Sequence, residues 1–170
     1  MLGINIPENQ IGNWKIEIDN GECSLVKVSM NQSIMKDCQY EYDTHKWLWE
    51  NATGDILVAG LGIGFLNKEL IDNHNFNSVT IIENSQDVID LVWPYCARDS
   101  RFTLIKEDIE TWDIPADLHW DIGWFDSWVA DNPISYNAYV SAMKHKYGSY
   151  CDKIGFWCIP HDISNSVVSP

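Results

Sequence analysis

Residues 58–64 read VAGLGIG, a run of alternating glycines between a short apolar stretch and a segment of helical character. No other feature limits the fold as tightly. Such a step is the βα turn of an open α/β sheet. Its glycines let the backbone turn sharply and come close to a ligand, and the helix that follows offers unpaired N–H groups at its start. The flanks agree: residues 55–59 are apolar enough for a strand buried on both faces, and residues 65–73 suit a helix. The glycines Gly60, Gly62 and Gly64 are spaced GxGxG, and Phe65 stands where the dinucleotide fingerprint has its third glycine. That spacing favours an adenosyl-sulfonium ligand over NAD, the competing reading being a plain tight turn.

Strand–helix alternation continues downstream. Strands are predicted over 78–82, 102–106, 121–125 and 153–159, the last broken by Pro160 and followed by a polar tail. Helices are predicted over 85–95, stopping near Pro94, and over 136–147, ended by Gly148. Repeated βα units predict the α/β class: a Rossmann-like, mainly parallel sheet with helices on both faces. Upstream, 14–19 and 23–29 are strand-like runs joined through Asn20-Gly21, a strong hairpin signal because both turn positions need positive φ. Residues 43–51 suit a short helix with Asp43 or Thr44 as N-cap. The expected organisation is a small β hairpin and short helix over 1–50 and a Rossmann-like domain over 51–170, together one compact unit.

Charge narrows the partners. Twenty-five acidic against 11 basic residues give a net charge of −14 in 170 residues. A chain this acidic repels phosphate backbones, which argues against free nucleic acid, and attracts cationic small molecules. The same charge also serves solubility alone. The five cysteines include no CxxC, and the five histidines are scattered, so neither a disulfide framework nor a metal site is signalled. The first ten residues have no basic, apolar signal-peptide pattern, and no apolar run reaches the roughly 18 residues of a membrane helix. A cytoplasmic protein is expected.

Three acids and their neighbours are candidate site residues. Glu83 ends the second strand of the α/β part, where an acid about 20 residues past the glycine loop accepts from ribose hydroxyls; an N-cap acid for the next helix is the alternative. Asp108 follows the third strand and is either an acceptor for an adenine amino group, with Ile109 packing on the base, or a solvated loop acid between Glu107 and Glu110. Asp126 ends the fourth strand, across the crevice from the glycine loop. There it can pair with a sulfonium or an amine, or take a proton from a nucleophile. Trp124 and Trp128 flank it, as an aromatic wall for a cation or as core. Residues 131–134 (DNPI) are read as a turn.

Together these residues resemble class I S-adenosylmethionine-dependent methyltransferases, and within them the spermidine synthase branch, over residues 12–160. The resemblance rests on the hairpin and the Tyr-containing stretch 36–42, on the apolar Val58 two positions before the first glycine, and on Asp126-Ser127 closing the fourth strand. It implies S-adenosylmethionine or its decarboxylated form held by Gly60, Gly62, Gly64, Glu83, Asp108 and Ile109, with Asp126 as base and Tyr42 beside an amine substrate. Two departures count against aminopropyl transfer. Ile63 occupies a glycine-loop position that is acidic in polyamine synthases, and Val129 replaces the second acid of their Asp-Ser-Ser-Asp motif. The family's final helix and antiparallel strand pair are not found after the fifth strand. The exposed edge that this leaves implies pairing into a homo-oligomer. Methyl transfer to a small, cationic or amine substrate is the leading expectation. Aminopropyl transfer, degradation of S-adenosylmethionine, and a non-catalytic cofactor-binding or assembly role are the alternatives.

Overall fold

The computed structural model describes residues 2–129 and 132–157. Four short strands, β1 (Asn9–Ile11), β2 (Trp14–Asp19), β3 (Glu22–Lys27) and β4 (Gln32–Lys36), form an antiparallel sheet in sequence order. The predicted hairpin is its centre: Asp19 pairs with Glu22 across Asn20 and Gly21, whose φ values of 51° and 82° are those of a primed turn. The hairpin prediction was incomplete, because β1 and β4 extend it on both sides. Their apolar alternation is too short to register in the sequence.

A second correction concerns residues 43–51. Two helices stand there, α1 (Gln39–Thr44) and α2 (Lys46–Asn51), and Cys38, not Asp43 or Thr44, is the first N-cap. The break falls at His45, where φ −98° and ψ 7° leave the helical region. The side chain of Thr44 is spent inside α1, donating to the Glu41 carbonyl at 2.7 Å.

The α/β part follows as β5 (Asp55–Ala59), α3 (Phe65–Asn73), β6 (Ser78–Glu83), α4 (Gln86–Val92), β7 (Phe102–Lys106), β8 (Trp120–Phe125), α5 (Tyr136–Tyr147) and β9 (Cys151–Phe156). All five strands are parallel, in the order β7-β6-β5-β8-β9. The predicted 85–95 helix is α4 followed by a 3₁₀ turn at Trp93–Tyr95, with Pro94 inside that turn. The last strand begins two residues earlier than predicted, at Cys151 paired with Trp120. Its expected end at 159, the Pro160 break and the polar tail lie outside the described residues, as does Asp131. Within the DNPI segment Asn132 takes the Ile134 N–H at 2.9 Å, an Asx turn.

Strand periodicity splits the core into two layers. Ile56 and Val58 of β5 join Val79 and Ile81 of β6 in a cluster with α2, α3, α4 and the N-terminal sheet; Leu57 and Ala59 join Tyr139, Met143 and Tyr147 of α5 on the opposite face. The sheet therefore has helices on both faces, and the N-terminal sheet packs against the α3–α4 face. Among the described residues no helix is long and apolar enough to cross a membrane.

Candidate functional site

The chain leaves β5 in one direction along the sheet, to β6 and β7, then returns to β8 on the other side of β5. Beyond the carboxyl ends of β5 and β8, at this topological switch point, open α/β sheets form their binding crevice. A cavity of about 180 Å³ lies there, with Gly60, Gly62, Glu83, Ile109, Asp126 and Trp128 among its lining residues.

Gly60 is set by the sheet on both sides. Its N–H donates to Ile82 at 2.9 Å, and the Asp126 N–H donates to Ala59 at 3.1 Å, so the loop leaves β5 close against the end of β8. With φ of 100°, Gly60 adopts a conformation that side chains avoid, and a Cβ would lie 2.7 Å from the Asp126 carbonyl oxygen. Gly62 lies beneath the Met35 side chain of β4. The N-terminal sheet thus closes the crevice from above, with Trp14, Leu25, Lys27 and Met35 as one wall.

Glu83, at the end of β6, also lines the cavity and is buried. Its Oε2 accepts the Leu61 N–H at 3.0 Å and its Oε1 the Ser85 N–H at 2.8 Å. A carboxylate offers about four acceptor sites, so capacity remains for a ligand. Burial pushes its carboxyl above the ordinary value, and the bonds from Leu61, Ser85 and Asn84 pull it partly back. The alternative reading, a cap on the next helix, is taken by Ser85, whose hydroxyl accepts the Val88 N–H at 3.3 Å.

Three sequence-nominated residues lie elsewhere. Tyr42 does not line the cavity: its hydroxyl donates to Glu69 on α3 at 3.0 Å and its ring packs on Trp49. Asp108 is also absent from the lining. Its side chain caps its own turn through the Glu110 N–H at 2.9 Å, and Glu107 reaches the cavity in its place. Gly64 caps α3 in a left-handed conformation, and a Cβ on it would collide with Cys96. Ile109 does line the cavity and is buried, its carbonyl accepting from the Tyr147 hydroxyl at 2.8 Å. Of the flanking tryptophans, Trp124 is wholly buried and stacks on Trp47, whereas Trp128 lines the cavity and is fixed by an N–H bond to Ile134 at 2.9 Å.

At the Asp126 end stands a residue the sequence did not nominate. His45, fully buried at the α1–α2 break, places its Nε2 3.0 Å from Asp126 Oδ2 and its Nδ1 2.8 Å from the Glu41 carbonyl oxygen. Trp49 stacks on the ring at 5.5 Å, and Phe65 and Trp124 close it in. Glu41, one turn earlier and also buried, has its carboxyl raised to about 7, mainly by burial. The only local signal was the four-residue spacing of Glu41 and His45. Among the described residues, no group of three His, Cys, Asp or Glu side chains is arranged to hold a metal ion.

No family model matches the sequence. No curated protein matches it either. Solved structures do. The chain is similar to the N-methyltransferase NodS from Bradyrhizobium japonicum WM9 at 16% identity and a TM-score of 0.53, over 71% of this chain and 68% of that one. The same enzyme in complex with S-adenosylhomocysteine matches at 17% identity and a TM-score of 0.53, over 71% and 62% of the two chains. At such identity the likeness is one of architecture, and the chain has the Rossmann-like fold of these methyltransferases.

Proposed function

We propose that the chain binds S-adenosylmethionine in the switch-point cavity and transfers its methyl group to a small amine or other cationic acceptor. The observation that carries this reading is Glu83: a buried carboxylate that lines the cavity, with backbone N–H groups on both oxygens and acceptor sites left over. A ribose diol supplies two donors for those sites. Gly60 and Gly62 offer bare backbone where a side chain would fill the space, and Ile109 offers an apolar surface for a base. When bound, S-adenosylmethionine supplies a methyl carbon made electrophilic by its sulfonium. Asp126 at the opposite end of the cavity is the candidate proton acceptor for the attacking group. The N-terminal sheet excludes water from above, through Met35 and Trp14.

Aminopropyl transfer is the second reading, favoured by the Asp126-Ser127 strand end. The apolar Ile63 and Val129 stand against it, since neither supplies the acid that would hold an extended polyamine.

Isothermal titration with S-adenosylmethionine, its decarboxylated form and S-adenosylhomocysteine tests the proposal. Micromolar binding is expected, weakened about 100-fold by Glu83→Ala through loss of two charge-assisted hydrogen bonds. A preference for the decarboxylated form moves aminopropyl transfer to first place. No binding by any of the three defeats both readings and leaves a non-catalytic or assembly role for the scaffold.

A further inference from the structure

Asp126 contributes to the cavity with one oxygen already engaged, and the engagement fixes a proton count. The Glu41 carbonyl oxygen that meets His45 Nδ1 at 2.8 Å can only accept. The neighbouring Thr44 hydroxyl gives its proton to that same carbonyl. Nδ1 therefore carries a hydrogen. On the other side of the ring, Nε2 and Asp126 Oδ2 stand 3.0 Å apart. Two lone pairs do not face each other at that distance, so one proton lies between them. It resides on the ring, giving an imidazolium and a carboxylate, or on the carboxyl, giving a neutral pair.

The surroundings choose between these states. The charged groups facing the ring among the described residues are both acids, Glu41 from α1 and Asp126 after β8. The other contacts are the Thr44 hydroxyl, 3.3 Å from Nδ1, and the rings of Trp49 from α2, Phe65 from α3 and Trp124 from β8. Burial opposes both charges. It lifts the Asp126 carboxyl above its ordinary value, with the bond and charge of His45 pulling it back. It also disfavours the imidazolium, yet the bond and charge of Asp126, and then Glu41, hold the His45 proton above the ordinary histidine range. The ring, with two acids facing it and both nitrogens on acceptors, is the better home for the proton. For Asp126 Oδ1, no hydrogen bond to a described residue is found.

We propose that His45 is a positioning residue that holds Asp126 as an ionised carboxylate at the cavity, giving the site an anionic centre for the sulfonium of an S-adenosyl ligand. The inference rests on the S-adenosylmethionine reading above. A cation nearer to Asp126 than to His45 meets the negative end of a dipole, so attraction survives the pairing. Without the imidazolium, a carboxylate buried this deeply takes up a proton and the centre is lost. His45 thereby acts through Asp126 and need not touch the ligand.

The ion pair is tested in the ligand-free full chain by the ¹⁵N resonances of its imidazoles. At pH 7, both His45 nitrogens are expected at protonated positions, and Asp126→Asn should strip the proton from Nε2. A neutral His45 in the wild type, or one indifferent to Asp126→Asn, overturns the proposal. The counter-charge is tested by titrating wild type, Asp126→Asn and His45→Gln with S-adenosylmethionine, which carries the sulfonium, and S-adenosylhomocysteine, which does not. Both variants should lose about tenfold in affinity for the cation and less than about twofold for the neutral thioether. Retained thioether binding certifies that each variant is folded. Equal losses for both ligands overturn the assignment. If the wild type binds neither ligand, the functional reading fails and takes the sulfonium role with it, while the imidazole spectrum still decides whether His45 and Asp126 form an ion pair.

Discussion

At one end of the cavity, Glu83 holds the Leu61 N–H from 22 residues away, and glycines present bare backbone; at the other, His45 and Asp126 meet side chain to side chain across 81 residues of sequence. The first end is a product of one βα unit. Strand β5, its glycine turn, α3 and the end of β6 are consecutive, and the parallel pairing of Ala59 with Ile82 brings Glu83 beside the loop. The second end exists only once α1–α2 has packed against the sheet. The contrast teaches that a backbone-built subsite can be local, whereas a buried ion pair requires two distant elements to be fixed before either charge is tolerated.

The sharpest way to break the comparison is at the one residue both ends share. Gly60→Ala forces a side chain into a φ of 100° and against the Asp126 carbonyl at 2.7 Å. A loss of about 3 kcal/mol in unfolding free energy is expected by urea titration, from backbone strain plus displacement of the β8 end. The second test isolates the side-chain end through pH. Glu41 is raised from an ordinary 4.5 to about 7, so the folded chain binds a proton there that the unfolded chain releases. The stabilisation is complete below the ordinary value and is lost as pH rises through about 7. His45 is also raised above its ordinary 6.5, so its contribution is likewise present at low pH and lost as pH passes its folded value. Stability should fall between pH 5 and 8 by roughly 3 kcal/mol from Glu41 alone, and Glu41→Gln should flatten that slope. The smallest effect belongs to the local end. Ser85→Ala removes the α4 cap and should lower stability by about 1 kcal/mol. It should leave S-adenosylmethionine affinity unchanged, because the Ser85 group that Glu83 holds is its backbone N–H.

Much of the α/β part was legible in advance. The limits of β5, α3, β7 and α5 fell where apolar period, glycine and cap residues placed them, since these signals act within a few residues. Gly60, Gly62, Glu83, Ile109 and Asp126 were likewise nominated by position after a strand, and all five line one cavity. Side-chain directions set by packing were less legible. Tyr42 sits on a helix whose orientation turns it to Glu69, and Asp108 differs from Glu107 by one step, enough to reverse which acid faces inward. His45 gave no signal beyond its four-residue spacing from Glu41, because a lone histidine acquires chemistry only from its neighbours.

By itself, then, the sequence determined the parallel α/β scaffold and the glycine–carboxylate end of the crevice, because hydrophobic period and φ requirements are local properties of the chain. The tertiary structure decided the roof of the cavity, the directions of the Tyr42 and Asp108 side chains, and the pairing of His45 with Asp126, because desolvation and charge compensation depend on which distant groups exclude water together.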